Sequence, residues 1–329
     1  MKKVIGIGNA LTDILISIEN DTFLEKFAMP RGSMQLVNVD ISTKILRATE
    51  GMERALVSGG SAANSIHGLA SLGIETGFVG KVGKDKWGNF FESDMKKRGI
   101  NTCLFKSETE SGRAVALISP DSERTFATFL GAAVELTAGD ITPEIFDGYD
   151  YLHIEGYLVQ NQELIETALR TAKEKGLKIS LDMASFNVVE HNRHFLLDMA
   201  DKYVDILFAN EEEAKAFANV QNEEKAVEIM NCYCELSILK RGSRGSVISF
   251  KGNKTVIDIN PVKSIDTTGA GDLYAAGFLY GLINSLPLEK CGQIGSLTSA
   301  NVIQVIGPKI SDDKWTEIKQ KIEAIIKNN

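Results

Sequence analysis

Short apolar runs alternate along most of this chain with segments of helical length whose apolar residues recur every three or four positions. The pattern predicts strands over residues 4–7, 77–79, 151–154, 178–181, 206–209 and 236–239, and helices over 61–72, 86–98 and 163–175. Gly73, Gly99 and Gly176 stand just past the three helices, where glycine relieves a left-handed turn. Strands alternating with helices predict an α/β fold: three α/β/α layers around a mainly parallel central sheet.

Two stretches break that rhythm. Residues 113–118 and 124–130 are short alternating segments joined by Ser119-Pro-Asp-Ser-Glu123, which has hairpin-turn chemistry. Residues 11–18 and 33–39 also look extended, with no long helix between them. The four segments predict a small separate β-sheet, built from insertions at about 11–39 and 110–131 of one domain spanning 1–329. Such a sheet could cover a site and keep water out.

Composition narrows the function classes. The 329 residues are 43% hydrophobic and 24% charged, an ordinary globular balance with ample material for a core. A net charge of −8, with no Lys/Arg run, argues against a nucleic-acid partner. No apolar run approaches the roughly 20 residues a membrane helix needs. Lys2-Lys3 before an apolar stretch imitates a leader, but Gly6, Gly8, Asn9 and Asp13 interrupt it, and a first strand is the better reading. Cys103, Cys232, Cys234 and Cys291 lack zinc-type spacing, and His191 and His194 have no third ligand nearby. A reducing, cytoplasmic location is expected.

The chemistry concentrates near the C-terminus, at Asp266-Thr-Thr-Gly-Ala-Gly-Asp272. Gly269, Ala270 and Gly271 are expected to leave three backbone N–H groups uncovered where a helix begins. Unpaired donors and aligned peptide dipoles make such a terminus attract anions. Asp272 sits beside that cradle, a poor place for a carboxylate unless it handles a proton. The pair suggests phosphoryl transfer to a hydroxyl. The helix dipole predicts that Asp272 is a weak base.

Other motifs sharpen this. Asp13 follows the first strand, and a carboxylate can accept two adjacent hydroxyls. Gly59-Gly-Ser-Ala-Ala-Asn64 opens a helix, and Asn64 offers both donor and acceptor. Asn210-Glu-Glu-Glu213 could orient Mg²⁺ through its waters, and Lys240-Arg-Gly-Ser-Arg-Gly245 combines close backbone approach with basic side chains suited to nucleotide phosphates. Gly6-x-Gly8 lacks the third glycine of a dinucleotide fingerprint, and no Gly-x4-Gly-Lys-Ser/Thr loop occurs.

Together these motifs resemble the ribokinase-like (PfkB) family of sugar and nucleoside kinases over nearly the whole chain. Residues 266–272 followed by Ala276-Gly277 look like its C-terminal signature. Gly59-Gly-x-x-x-Asn64 with Gly80-x-x-Gly83-x-Asp85-x-x-Gly88 looks like its N-terminal one. The resemblance implies Asp272 as base and Gly269, Ala270 and Gly271 as anion hole. It implies Asp13, Gly59, Gly60, Asn64 and Glu155 around the acceptor, and Asn210, Glu213, Lys240, Gly242, Gly245 and Asn301 around ATP. Lys240 stands where a Thr is usual. Asn210 and Glu213 match the family's magnesium motif, and Asp266 and Thr268 lie where some members bind a monovalent cation such as K⁺. The inserted strands would be the substrate lid. The runs 4–13, 31–36, 124–131 and 272–281 look like those of bacterial adenosine kinases. Adenosine phosphorylated on its 5′-hydroxyl is therefore the leading acceptor, with Phe126, Phe129, Met34 and Leu36 as candidates for a purine slot. Fructose or ribose is the alternative, and a catalytically silent binding scaffold a more distant one. Monomer and homodimer are both compatible with the sequence.

Overall fold

The computed structural model describes residues 2–121, 123–259 and 261–327. Its strands, in chain order, are β1 (Val4–Ile7), β2 (Leu11–Ser17), β3 (Met34–Leu36), β4 (Arg54–Gly59), β5 (Thr76–Gly83), β6 (Asn101–Ser107) and β7 (Gly112–Ile118). They continue with β8 (Arg124–Phe129), β9 (Tyr151–Glu155), β10 (Lys178–Asp182), β11 (Ile206–Asn210), β12 (Leu236–Lys240), β13 (Ser246–Phe250) and β14 (Asn253–Ile257). The larger sheet has nine strands in the order β14-β13-β12-β11-β10-β9-β1-β5-β6. It is parallel from β6 to β12, and β13 and β14 close one edge as an antiparallel pair. The fold is thus α/β with a mainly parallel central sheet.

Side chains of each strand alternate between the two faces, so each parallel strand feeds two cores. On β11, Leu207 and Ala209 join Ile165, Leu196, Phe217 and Met230 from helices on one face. Ile206 and Phe208 join Ile66, Phe91, Phe278 and Ile294 on the other. Phe208 meets Phe278 edge-on at 5.6 Å between ring centres, which fixes the Ala270–Ile283 helix against the sheet. That helix is apolar nearly all round and packs between Ser61–Ser71 and Leu288–Val302, as a helix without a polar face must.

The smaller sheet has five strands in the order β3-β8-β7-β2-β4. Ile14, Ile16, Val115, Leu117 and Ala127 pack on its outer face against Phe23, Leu24 and Ile45. Ile45 belongs to the Val39–Ala48 helix, whose first turn is capped by Asn38 Oδ1 accepting from Ile41 N at 3.0 Å. The opposite parity, including Asp13, Met34, Leu36, Phe126 and Thr128, faces the cavity beside the larger sheet. Each of the four expected segments contributes a strand, although only Met34–Leu36 of residues 33–39 is extended in the sheet and Val39 opens a helix. β4 joins as a fifth strand, antiparallel to β2; Arg54–Gly59 shows no clear alternation to announce it. The β13–β14 hairpin also went unread. Its signal is Lys251-Gly252, both at positive φ, as in the tight turns that suit a right-twisted hairpin.

Candidate active site

Chain order reverses around β1, which lies between β5 and β9. In open α/β sheets a crevice forms at the carboxyl end of such a switch point. Here it is a cavity of about 1750 Å³, lined among others by Asp13, Asn64, Phe126, Asp182, Lys240 and Asp272. The smaller sheet supplies one wall.

Asp272 stands in the first turn of the Ala270–Ile283 helix, after Gly269 at φ +76°. The N–H groups of Gly271 and Asp272 keep no hydrogen-bond partner among the described residues, leaving an anion cradle beside the carboxylate. Ala270 departs from expectation, since its N–H donates to Thr267 O at 3.1 Å. Ala270 shapes the cradle without offering a free donor.

The Asp272 carboxylate accepts from Ser61 Oγ at 2.7 Å and from Asn64 Nδ2 at 2.9 Å. Ser65 Oγ donates to its backbone carbonyl at 3.1 Å. Residues 61, 64 and 65 share one helix face, so the second glycine-rich turn is built against the first. Burial pushes the Asp272 pKa up to about 6, and the bonds from Asn64 and Ser61 hold it from rising further. Burial thus works against the charged form that the helix terminus favours.

Asp13 is buried on β2 with no hydrogen-bond partner among the described residues, although it faces the cavity. Burial raises its pKa to about 7, opposed chiefly by the charge of Lys309 and aggravated by Asp272. A Cβ on Gly59, which pairs with Leu11 across β2 and β4, would fall 2.2 Å from Asp13 Oδ1. Only glycine leaves that carboxylate its place. Gly60, at φ +99°, caps the Ser61–Ser71 helix and lines the cavity.

Glu155 also borders the cavity, but its oxygens are already engaged. Oε1 accepts from Asn9 N at 2.9 Å and Asn9 Nδ2 at 2.6 Å, and Oε2 from Ala62 N at 2.9 Å. Burial raises its pKa to about 7. Glu155 braces the end of β1 against the Ser61–Ser71 helix rather than offering free acceptors to a ligand.

Across the cavity lies the other half of the site. Lys240 Nζ donates to Asp182 Oδ2 at 2.7 Å, and both side chains are largely buried. A Cβ on Gly271 would come 3.1 Å from that same Nζ, so the cradle and the lysine share one space. Burial opposes the lysine's charge, but Asp182, Glu213 and Asp272 more than offset it and raise its pKa. Asp182 was missed in the sequence. Its signal was a carboxylate on the last residue of a strand at the sheet's carboxyl edge.

Asn210 and Glu213 form a reciprocal cap: Asn210 Oδ1 accepts from Glu213 N at 2.9 Å, and Glu213 accepts from Asn210 N at 2.7 Å and Nδ2 at 2.6 Å. Burial pushes Glu213 up to about 7. Gly242 and Gly245 line the cavity at φ +53° and +78°. The two arginines of this loop, Arg241 and Arg244, do not. Arg244 pairs with Glu211 and Glu223, and Arg241 bonds Arg244 O. Lys240 is therefore the basic side chain that this segment turns into the cavity. Asn301 also departs from expectation: it is buried, its Nδ2 donates to Leu297 O at 2.7 Å, and Ser299, Ala300 and Ile303 line the cavity from the same helical segment.

Asp266 and Thr268 hold an unexpected partner. The Arg124 guanidinium, from β8, reaches over from the smaller sheet to the Asp266 carboxylate and donates to Thr268 Oγ1 at 3.0 Å. Farther along the same strand, Phe126 and Thr128 line the cavity with Met34, Leu36 and Val134. Met34, Leu36 and Val134 are 51%, 61% and 50% exposed, so an apolar wall stands open toward the site. Phe129 is of opposite parity and lies against the Arg113 guanidinium at 4.9 Å, outside this wall.

No cluster of three or more His, Cys, Asp or Glu side chains among the described residues could hold a metal directly. Asn210 and Glu213, expected to orient Mg²⁺, are engaged with each other, and Asp182 borders the same cavity. Asp182 and Glu213 are hard oxygen donors of the kind that would hold Mg²⁺ through its own waters. No helix of the described residues is long and apolar enough to cross a membrane.

Comparison with known proteins agrees with this geometry. The model of the pfkB family carbohydrate kinases matches residues 37–315. The crystal structure of adenosine kinase from Sinorhizobium meliloti superposes with a TM-score of 0.87 at 32% identity, covering 97% of this chain and 99% of that one. A probable sugar kinase from Rhizobium etli CFN 42 gives 0.88 at 30% identity, covering 98% and 99%. A nucleoside kinase of Methanocaldococcus jannaschii is 27% identical over 329 residues, 98% of this chain and 97% of its own. The chain belongs to the pfkB family of carbohydrate kinases and is itself a kinase.

Proposed function

We propose that this enzyme transfers the γ-phosphoryl group of ATP to the 5′-hydroxyl of adenosine, giving AMP and ADP. The observation that carries the acceptor assignment is the open apolar wall of Met34, Leu36, Phe126 and Val134 above a lone buried carboxylate, Asp13. A flat purine buries apolar area against such a wall, while Asp13 accepts the two ribose hydroxyls.

In this reading Asp13 and Asn64 orient the ribose so that its 5′-hydroxyl meets Asp272. The hydroxyl proton passes to an Asp272 oxygen as the new O–P bond forms and the bond from phosphorus to the leaving ADP oxygen breaks. A carboxylate with a pKa near 6 is ionised at neutral pH yet basic enough to take that proton late. Charge on the moving phosphoryl group is met by the N–H groups of Gly271 and Asp272 and by Lys240. Asp182 and Glu213 would hold Mg²⁺ through its waters, where the ion would neutralise charge on the ATP phosphates. The smaller sheet acts as a lid that excludes water from the reacting groups.

A sugar kinase acting on fructose or ribose is the second reading, favoured by the polar groups of Asn9, Asp13 and Asn64 facing one pocket. Neither sugar would fill the apolar wall. ATP consumption measured with adenosine, other nucleosides, ribose and fructose tests the choice. Adenosine should give the highest kcat/KM, and turnover on fructose or ribose alone would replace this reading with the second.

A further inference from the structure

Asp266 is a buried carboxylate in the loop that leads into the anion cradle. Its Oδ1 accepts from Thr268 N at 2.9 Å, and its Oδ2 from Gly307 N at 2.7 Å, so it ties the two loops that flank the Leu288–Val302 helix and the base. A buried carboxylate that keeps its charge is stabilised by a cation beside it. A metal ion at this position would have to take oxygens from Asp266 and Thr268. Those are the two side chains that Arg124 Nη1 already touches. The fit to a monovalent cation therefore fails on occupancy, because a second positive charge would sit directly against a buried guanidinium.

The way Arg124 is held supports this. The side chains of Arg124 and Asp266 are 5% and 3% exposed. Nε and Nη2 of Arg124 are buried without a hydrogen-bond partner among the described residues. The guanidinium thus serves here through its charge and one nitrogen, as a metal ion would, rather than through its two-pronged fork. It is also carried by β8, in the same sheet that presents Phe126 and Thr128 to the cavity.

We propose that Arg124 is the built-in cation of the Asp266 loop, so that this enzyme folds its anion cradle and turns over without any monovalent metal ion. The proposal rests on the kinase reading and not on which acceptor is used. Its consequence is that the charge on the cradle's loop comes from the smaller sheet and moves with it.

The test compares K⁺ with tetramethylammonium at constant ionic strength, reading both thermal unfolding of the ligand-free protein and turnover with ATP and the best acceptor. The wild-type melting temperature should agree within about 1 °C between the two salts, and kcat within about twofold. Arg124→Gln should melt lower in tetramethylammonium, and K⁺ should raise its melting temperature by several degrees. Asp266→Asn added to Arg124→Gln should recover much of the lost stability, since no buried charge then lacks a partner. Wild-type enzyme that is stabilised by K⁺, or activated more than about threefold, would overturn the proposal. So would an Arg124→Gln protein whose melting responds neither to K⁺ nor to the second substitution. The melting readout uses no substrate, so a wrong acceptor assignment leaves it intact.

Discussion

Asn64 donates its side-chain N–H to Oδ2 of Asp272 across 2.9 Å, while its own Oδ1 is buried with no partner among the described residues. One amide thus touches the base and borders the substrate pocket. Ser61 supplies the second donor to the same carboxylate. Both bonds favour the ionised form of Asp272, so removing either must raise its pKa. Ser61→Ala should move the acid limb of the kcat profile upward by about half a unit to one unit, the equivalent of roughly 1 kcal/mol. Asn64→Ala should do the same and raise the acceptor KM as well. A pH–rate series on the two variants checks the split between them.

The wild-type profile follows from the same shifts. Burial raises Asp272 to about 6 and Asp13 to about 7, so both lose their charge on acidification well above the ordinary carboxylate range. Ionised forms are needed to take the proton and to accept the diol. Activity is therefore lost as pH falls through 7 and 6, and kept above. The limb in kcat/KM for the acceptor should be steeper than that in kcat, because the free enzyme carries both ionisations. A profile flat between pH 5 and 8 would show that the helix dipole, not burial, governs Asp272.

Gly59→Ala tests the acceptor pocket without changing any charge. The added methyl would overlap the Asp13 carboxylate, whose Oδ1 lies 2.2 Å from the ideal Cβ position. Asp13 must move. The acceptor KM should rise about tenfold or more, on the order of the 1.4 kcal/mol that one strong hydrogen bond contributes. The KM for ATP should hardly change, and initial-rate kinetics in both substrates would read the contrast.

Lys240→Met removes the cation that faces the cradle while keeping most of the stem's volume. Asp182 loses its 2.7 Å partner, and the ATP phosphates lose a charge-assisted donor. kcat/KM for ATP should fall by about 10- to 100-fold, matching a charged hydrogen bond of roughly 1.5–3 kcal/mol. An unchanged value would mean that Lys240 serves Asp182 alone.

Much of this was legible in the sequence because it is local. The helix entry at Gly269 to Asp272 and the glycine pair before Asn64 are short motifs whose geometry follows from neighbouring residues. What stayed hidden is tertiary. Arg124 meets Asp266 across 142 positions, and Lys240 meets Asp182 across 58, so neither pairing leaves a local pattern. The basic character of Asp272 also depends on burial that no motif reports. Phe129 was misassigned for a plainer reason: on a strand, parity decides the face, and Phe126 and Phe129 are of opposite parity.

The central claim is that Asp272 takes the acceptor's proton, and Asp272→Asn is its most direct test. The amide keeps the size of the carboxylate and removes its basicity. Single-turnover measurement with ATP and adenosine should show phosphoryl transfer slowed by about 10²–10⁴-fold, the usual contribution of a positioned base. Calorimetric binding of adenosine should stay within a few-fold of wild type. Transfer within about tenfold of the wild-type rate, with binding intact, would contradict the account.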